Sequence, residues 1–269
     1  MPAHKETLMR KNIFRDKMKA GQPTFGTRTT SVWPELVEVI GHTGAFDYVE
    51  FLAEYGDYDL HDLENYARAV ELFDMACIIK PDQQTQGWVA QRAIGAGFQG
   101  VNFVDCRSAA EAAECVRLVR PETPTDGGVN SAAPRRFALM GEAGSTAYVQ
   151  ALRDVMVIIM IEKKAAVEHL EEILAVPGID MVQWGPSDYS MSIGRAGERN
   201  HPEVKAAAKK VFETALRMGI PPRAEIGSPD DARRFQDMGV RHFSLGTDIN
   251  ILHDFLKKNG EELRKVVKG

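Results

Sequence analysis

Two carboxylates stand where neighbouring apolar segments of the sequence end. Glu162 follows the apolar run at residues 155–161, and Asp188 follows the run at 181–184 after a Gly185-Pro186-Ser187 turn. If these runs are consecutive strands of a parallel sheet, the carboxylates share one edge, because paired strands lie about 5 Å apart. Two carboxylates suit a hard divalent cation and leave positions for water and substrate oxygens. The pattern therefore predicts a metal site formed by Glu162 and Asp188.

Each carboxylate alone has a simpler interpretation. A Glu or Asp at a strand end is often a helix cap or an ion-pair partner, and Asp188 could cap the turn before Met191. The presence of both at matching places favours the metal. The Gly185-Pro186-Ser187 turn is expected to present backbone N–H groups that could receive a carboxylate, with a purely structural turn as the alternative.

The elements that must hold these residues alternate along the chain. Apolar runs predict eight strands, at residues 24–28, 48–52, 75–79, 100–103, 155–160, 181–184, 222–224 and 242–245. Segments with helical periodicity separate them. Strands without alternation are buried on both faces, as in a parallel sheet covered by helices. Eight such units favour an α/β fold, a (β/α)8 TIM barrel in a single domain over residues 1–269, rather than an open doubly wound sheet.

Composition narrows the functional classes. The chain has 269 residues, 44% of them hydrophobic, which is enough for the core of one barrel. A net charge of −5 gives no general attraction to nucleic acid or to an anionic membrane. Three cysteines without paired spacing argue against a disulfide framework or a zinc site. Without an apolar signal region or spanning stretch, we expect a cytoplasmic protein with neither nucleic-acid nor membrane partners.

Two segments lie outside the regular alternation. Residues 121–144 are rich in Pro, Gly and Thr and lack periodicity, and long loops in compact domains are usually functional or mobile. We expect this segment to reach the active-site mouth or a neighbouring subunit. Residues 251–267 form a long amphipathic helical pattern at the C-terminus. Together with the loop, this pattern is consistent with a closed, symmetric homo-oligomer.

The stretch at residues 160–194 resembles the HpcH/HpaI family of class II, metal-dependent pyruvate aldolases. The resemblance rests on Met160-Ile161-Glu162-Lys163 and on the run from Glu171 through Gly185-Pro186-Ser187-Asp188 to Gly194. It continues in His-Pro-Glu-Val at 201–204 and in the opening at residues 19–27. The likeness spans nearly the whole chain and is strongest between residues 155 and 206.

The resemblance implies a (β/α)8 barrel with a C-terminal helix swapped between subunits of a homohexamer. It implies Mg²⁺, Mn²⁺ or Co²⁺ held by Glu162 and Asp188, with backbone amides around Gly185, Pro186 and Ser187 binding the carboxylate of pyruvate. The implied reaction cleaves a 4-hydroxy-2-oxo acid to pyruvate, or a related 2-oxo acid, and an aldehyde through a metal-stabilised enolate.

The chain departs from the family pattern at three strand ends. After the second strand the family reads Asp-x-Glu-His, whose His serves in proton transfer, but here Leu52 and Tyr55 stand at the Asp and His positions. The arginine after the third strand is replaced by Lys80, which supplies a cation without the bidentate fork. Arg28 stands where several relatives have an aromatic residue.

Lys80, Tyr55 and Arg28 are therefore the candidate catalytic side chains. A phenol with a pKa of about 10 is a poor base at neutral pH unless a cation lowers that pKa, as Lys80 and Arg28 could do. Tyr55 could instead only shape the pocket. Lys80 could also form a Schiff base, although the metal pair makes that redundant. We expect Lys80 to face the keto oxygen of the substrate, with Tyr55 beside it.

Three functions are compatible with these residues. The first is the metal-dependent aldolase that the resemblance implies. The second is another enolate-forming lyase on the same metal site, such as a decarboxylase, a hydratase or an acyl-thioester lyase, because the residues at 55 and 80 have changed. The third is a protein that binds metal and oxo acid with little catalysis. Proton exchange at the methyl group of pyruvate separates the third from the first two.

Overall fold

In the computed structural model, which describes residues 9–132, 136 and 141–268, parallel strands close into a barrel. Each described strand pairs with its neighbours in sequence, and the last pairs with the first. The strands are β1 Thr24–Thr29, β2 Tyr48–Phe51, β3 Ala76–Ile79, β4 Gly100–Phe103, β5 Met156–Ile161, β6 Met181–Trp184, β7 Pro222–Ile226 and β8 His242–Thr247. All eight predicted strands are therefore confirmed, with ends that shift by no more than two residues.

Helices cover the outer face of the barrel. In the described part of the chain they are α1 Ile13–Lys19, α2 Pro34–His42, α3 Leu60–Glu71, α4 Gln86–Ala96, α5 Ala109–Val119, α6 Thr146–Arg153, α7 Lys164–Glu168, α8 Leu170–Leu174, α9 Pro186–Ser192, α10 Pro202–Arg217, α11 Ala232–Gln236 and α12 Asp248–Lys268. The outward side chains of the strands pack against these helices in a large apolar core. The predicted (β/α)8 barrel is confirmed.

The barrel interior changes from apolar to polar along its axis. The end at which the strands begin, which we call the lower end, holds a separate apolar cluster that includes Tyr48, Ile78 and Ile158. Helix α1 closes this end by stacking Phe14 on Tyr48, with 4.5 Å between the ring centroids. Towards the carboxyl ends of the strands the inward side chains are polar and buried, and they include Glu50 and Arg223. The lower end of the barrel is therefore apolar, and the charged side chains lie towards the carboxyl ends of the strands.

Buried Glu50 and Arg223 form the centre of this polar layer. Arg223 Nη2 donates to both carboxylate oxygens of Glu50 at 2.9 Å, and neither side chain is exposed. Asn102 donates a further hydrogen bond to Glu50 at 2.8 Å. Burial alone would raise the pKa of Glu50, but the Arg223 guanidinium outweighs it and lowers that pKa. Both groups are therefore charged, and each needs the other.

The described part of residues 121–144 lies at the lower end of the barrel, so the expectation that this segment reaches the mouth is wrong there, while contact with a neighbouring subunit stays a prediction. Asn130 N–H donates to the carbonyl of Arg120, whose side chain binds the Val155 carbonyl just before β5. The reason is connectivity, because a segment between a helix and the next strand joins them where the strands begin. The remainder, at 133–135 and 137–140, falls outside the described residues.

No helix among the described residues is both long enough and apolar enough to cross a membrane. The long helix α12 is amphipathic, and none of its residues is buried.

Replacing Arg223 by Met should destabilise the protein strongly, because it leaves the buried Glu50 carboxylate without its counter-charge. The expected loss in the free energy of unfolding is about 3–5 kcal/mol, measured by denaturant titration. Adding Glu50→Gln should recover part of it, since the uncompensated charge is gone. The exposed Arg217→Met, which removes a surface pair with Glu171, should change stability by less than about 1 kcal/mol. Similar losses for Arg223→Met and Arg217→Met would contradict this.

Candidate active site at the carboxyl ends of the strands

Glu162 lies at the barrel mouth, directly after β5. The register pairs Ile161 with Trp184, and Gly185 N–H donates to the Ile161 carbonyl at 3.2 Å, so Glu162 stands opposite Gly185. Only 3% of Glu162 is exposed. A Cβ atom at position 185 would lie 2.4 Å from Glu162 Oε2, so glycine is needed here for space.

Burial raises the pKa of Glu162 to about 7. The backbone N–H of Asp105, which donates to Oε1 at 2.9 Å, and the Lys80 ammonium oppose this effect, while the Asp188 carboxylate adds to it. A buried carboxyl that is poorly compensated by its neighbours is typical of a functional site, since structural carboxylates are usually fully paired.

Asp188 joins the same cluster through Lys163. It lies in the first turn of α9, which begins after Gly185 and has no side-chain cap hydrogen bond, so the interpretation of Asp188 as a cap is wrong. Lys163 Nζ lies 2.9 Å from Asp188 Oδ1 and 2.5 Å from Asp105 Oδ1. The ion-pair interpretation thus holds for Asp188. The two predicted metal ligands nevertheless lie in one group, since both are linked to Asp105.

Asp105 and Lys163 are site residues that the sequence argument missed. Asp105 follows β4 by two residues, so the rule that functional groups stand at strand ends could have found it. It is the one non-glycine residue with positive φ, 58°, within the described ranges. Its N–H is held by Glu162, and its carbonyl accepts from Arg107 at 2.6 Å. Lys163 directly follows Glu162 and is the residue before α7, and in the sequence it stood out only as part of the Met160-Ile161-Glu162-Lys163 run.

The turn after β6 supplies fewer free amides than expected. Gly185 N–H is used by the Ile161 carbonyl, and Pro186 has no N–H to offer. The first intrahelical hydrogen bond of α9 runs from Tyr189 N–H to the Gly185 carbonyl. Ser187 and Asp188 therefore carry the amides that a carboxylate could meet at this turn, while Gly185 provides room and Pro186 fixes the helix start.

Lys80 and Tyr55 lie together at the barrel mouth, as expected, and Glu54 is a third member of their cluster. Lys80 is 5% exposed, and its Nζ lies 2.5 Å from Glu54 Oε2 and 2.9 Å from the Tyr55 hydroxyl. Burial would lower the pKa of Lys80, but Tyr55 and Glu54 together raise it above its usual range. The lysine is protonated at neutral pH, which disfavours a Schiff base, because that needs the neutral amine.

The pKa of Tyr55 moves in the direction opposite to expectation. Desolvation of the hydroxyl group raises it, although 60% of the residue is exposed, and the nearby Lys80 ammonium lowers it by less. The expectation that neighbouring cations would bring this phenol towards neutral pH is therefore wrong. Lys80 donates to the hydroxyl oxygen at 2.9 Å, and the Glu54 carboxylate further raises the pKa of the phenol, so Tyr55 keeps its proton at neutral pH.

Arg28 lies at the end of β1 and faces Glu225 on β7 rather than Tyr55. The guanidinium forms an ion pair with Glu225 and donates to the Gly246 carbonyl at 3.0 Å. Glu225 in turn accepts from Gln183, which accepts from Arg223. Arg28 is thus the upper end of the polar layer inside the barrel.

The residues at the mouth fit a divalent cation with an incomplete protein shell. Glu162 and Asp188 offer hard oxygen atoms, and the absence of a side chain at Gly185 lets the Glu162 carboxylate lie against the turn after β6. Over the described ranges, no group of three or more His, Cys, Asp or Glu side chains is arranged to hold a metal ion. Two carboxylates would leave most coordination positions to water and to oxygen atoms of a substrate.

Known proteins match most of this chain. The model of the HpcH/HpaI aldolase/citrate lyase family covers residues 34–254. This chain belongs to that family. The predicted membership is confirmed, and so is the assignment to lyases of the aldolase type.

Individual relatives match at low identity over almost the full length. A 5-keto-4-deoxy-D-glucarate aldolase of Klebsiella pneumoniae is 25% identical over 94% of this chain and 97% of its own length. A 4-hydroxy-2-oxo-heptane-1,7-dioate aldolase of Escherichia coli is 28% identical over 90% of each chain. The crystal structure of a family member from Burkholderia cenocepacia J2315 superposes with a TM-score of 0.86, at 25% identity, over 94% of this chain and 100% of the other.

Replacing Gly185 by Ala should destabilise the mouth, because the new methyl group would overlap Glu162 Oε2 and Cβ. We expect a loss of about 1–3 kcal/mol in the free energy of unfolding, as for other overpacked sites. The control is Gly227→Ala after β7, where the new Cβ would lie 3.7 Å from Asp231. Denaturant titration of both variants is the measurement, and equal stability would show that Gly185 is not needed for space.

Proposed function

We propose that this protein is a divalent-metal-dependent aldolase that cleaves a 4-hydroxy-2-oxo acid to pyruvate, or a related 2-oxo acid, and an aldehyde. The observation that carries the proposal is the convergence of Glu162 and Asp188 on Asp105 and Lys163 at the barrel mouth. Family membership supports it, since the relatives named above are aldolases of oxo acids.

Glu162 and Asp188 would hold the metal, with Mg²⁺, Mn²⁺ and Co²⁺ as the candidates. When bound, the cation would polarise the keto group and stabilise the negative charge that develops during cleavage. Burial of Glu162 supports this role, because a carboxylate in a site that excludes water acts more strongly on a nearby charge.

The turn after β6 would receive the carboxylate of the oxo acid. The Ser187 and Asp188 amides are the donors at this turn, and Gly185 lets Glu162 lie directly beside it. A carboxylate here would stand beside Asp188 on one side of the mouth. The keto group would then point across the barrel towards the end of β3.

Lys80 would supply the cation that faces the keto oxygen. Its ammonium lowers the pKa of Glu162, against the effect of burial, so it would act on charge at the same site. Glu54 holds the ammonium at 2.5 Å and limits its orientation. Tyr55, with a raised pKa, would act as a proton donor to the aldehyde oxygen in the condensation direction rather than as a base.

The changed residues at 55 and 80 also support a second candidate, another enolate-forming lyase on the same site. Such an enzyme would share Glu162, Asp188 and the turn at Gly185, Pro186 and Ser187. It would differ in the group that is cleaved from the substrate. Both candidates require proton exchange at the methyl group of pyruvate, whereas a protein that only binds oxo acid does not. A screen of aldehydes with pyruvate separates the aldolase from the other lyases.

We further propose a homo-oligomer, most simply a dihedral hexamer, in which α12 packs on another copy of the chain. Helix α12 carries eight exposed apolar side chains, Ile249, Ile251, Leu252, Phe255, Leu256, Leu263, Val266 and Val267. A 21-residue amphipathic helix without buried residues gains its stability from packing on a second surface. Exposed Phe25 on β1 and Val39 on α2 offer apolar surface for such a helix.

Glu162→Gln and Asp188→Asn should each reduce metal-dependent exchange of the pyruvate methyl protons to the rate found in EDTA. Each change removes a charged ligand while it keeps the shape of the side chain. Exchange is measured by NMR in D2O with Mg²⁺ or Mn²⁺. The exposed Glu168→Gln, on α7, is the matched control and should exchange at the parent rate. Full exchange in either site variant, with unchanged metal affinity, would remove these residues from the metal site.

Lys80→Ala should lower turnover about 10²–10³-fold, the usual effect of losing one group that stabilises developing charge. Lys80→Arg should retain part of the activity because the cation remains. Tyr55→Phe should reduce kcat and leave pyruvate binding intact if the phenol donates a proton. If Lys80→Ala were as active as the parent, Arg28 would become the cation to test.

The oligomer proposal predicts a mass of about six chains by light scattering at micromolar concentration, given the family's assembly and the closed symmetry usual for soluble oligomers. Placing Asp at Leu252 and Phe255 should lower this mass, because it introduces charge into the apolar face of α12. Lys258→Asp, on the same helix, is the control. A monomeric parent protein would refute the proposal.

A further inference from the structure

Lys163 places an ammonium group between two carboxylates of the mouth. Its Nζ lies 2.5 Å from Asp105 Oδ1 and 2.9 Å from Asp188 Oδ1, and its side chain is 18% exposed. The lysine directly follows Glu162, so the chain that delivers one proposed ligand also delivers a cation to the other. Neither the polar layer inside the barrel nor the Lys80 cluster uses this side chain.

The carboxyl groups of this cluster outnumber the cations in direct contact with them. Asp105, Glu162 and Asp188 contribute three carboxyl groups, against which Lys163 stands as the cation in direct contact. Of the other cations nearby, Lys80 is already engaged by Glu54, and Arg107 donates to the backbone carbonyl of Asp105 rather than to a carboxylate. A divalent ion would therefore be attracted to the group, but it would meet an Asp188 oxygen that an N–H of Lys163 already occupies.

We infer that Lys163 is an internal competitor of the divalent cation, and that it sets the affinity of the site by holding Asp188. This inference rests on the proposed metal site at Glu162 and Asp188. Metal binding through Asp188 Oδ1 requires Nζ to release that oxygen, and a cation on Oδ2 would still face the ammonium. Asp105 remains as the partner of Nζ, 2.5 Å away. Because the ammonium is tethered next to the site, it competes at a high effective concentration whatever the solution contains.

A purely structural role for Lys163 predicts the opposite result. If the lysine only tied the loops after β4 and β6 together, its removal would let Asp105 and Asp188 move apart and would weaken metal binding. Competition instead predicts that removing the ammonium strengthens metal binding. The direction of the change in affinity therefore separates the two roles, and it does not depend on activity.

The experiment is titration of the protein with Mn²⁺ alone, with free Mn²⁺ followed by electron paramagnetic resonance. We expect Lys163→Met to bind Mn²⁺ at least about tenfold more tightly than the parent, since a unit charge in contact with a ligand is removed. Lys164→Met is the matched control, because it removes the same charge from an exposed residue whose nearest carboxylate is Glu168 at 3.8 Å. Its affinity should stay within about twofold of the parent, as for a charge screened by solvent.

Two further variants keep the outcomes distinct. Lys163→Gln, which removes the charge but can still donate to Asp105, carries the test if Lys163→Met loses its circular dichroism signal. Mn²⁺ binding is measured for Glu162→Gln alone and in combination with each lysine variant. If Glu162→Gln abolishes Mn²⁺ binding and Lys163→Met or Lys163→Gln binds no more tightly than the parent, the inference on Lys163 is wrong and the metal site stands. If Glu162→Gln leaves Mn²⁺ binding unchanged, the proposed metal site is wrong, and Lys163 then has no metal ion at this site to compete with.

Discussion

The register between β5 and β6 is the constraint on which the site depends. Because Ile161 pairs with Trp184, the first residue beyond each strand faces the other, and Glu162 meets Gly185. Only a residue without a side chain fits at 185, since a Cβ atom would overlap the carboxylate. The turn into α9 then brings Asp188 to the same side of the mouth. A slip of one residue would turn Glu162 away from the barrel axis and separate the two carboxylates.

The polar interior explains how a charged mouth can sit on a closed barrel. The apolar plug around Phe14 and Tyr48 closes the lower end, and the Glu50–Arg223 pair begins the polar layer above it. Hydrogen bonds and ion pairs continue through Gln183 and Glu225 to Arg28 at the rim. Charges at the rim are thus supported from below by a network fixed to the strands. Arg28 belongs to that network, so its charge is paired inside the barrel.

Periodicity and strand-end positions predicted the strands and the edge of the barrel that carries the site. Features that depend on the direction of individual side chains were missed. The eight strands followed from the apolar runs, and the placement of Glu162 and Asp188 at one edge of the barrel followed from their positions after two consecutive runs. Lys163 was missed because Glu162 takes the strand-end position before it, and Asp105 because its role depends on contacts with Glu162 and Lys163 that only the fold shows. The pKa of Tyr55 could not be predicted either, because burial and Lys80 act in opposite directions and only the three-dimensional surroundings decide between them.

The metal site is tested most directly by anomalous X-ray diffraction from crystals soaked in Mn²⁺. The proposed site predicts one strong anomalous peak at the barrel mouth, within coordination distance of carboxylate oxygens of both Glu162 and Asp188, roughly 2.0–2.6 Å for hard divalent cations. A peak that touches neither residue, or none in crystals saturated with Mn²⁺, would contradict the assignment of Glu162 and Asp188 as the metal ligands.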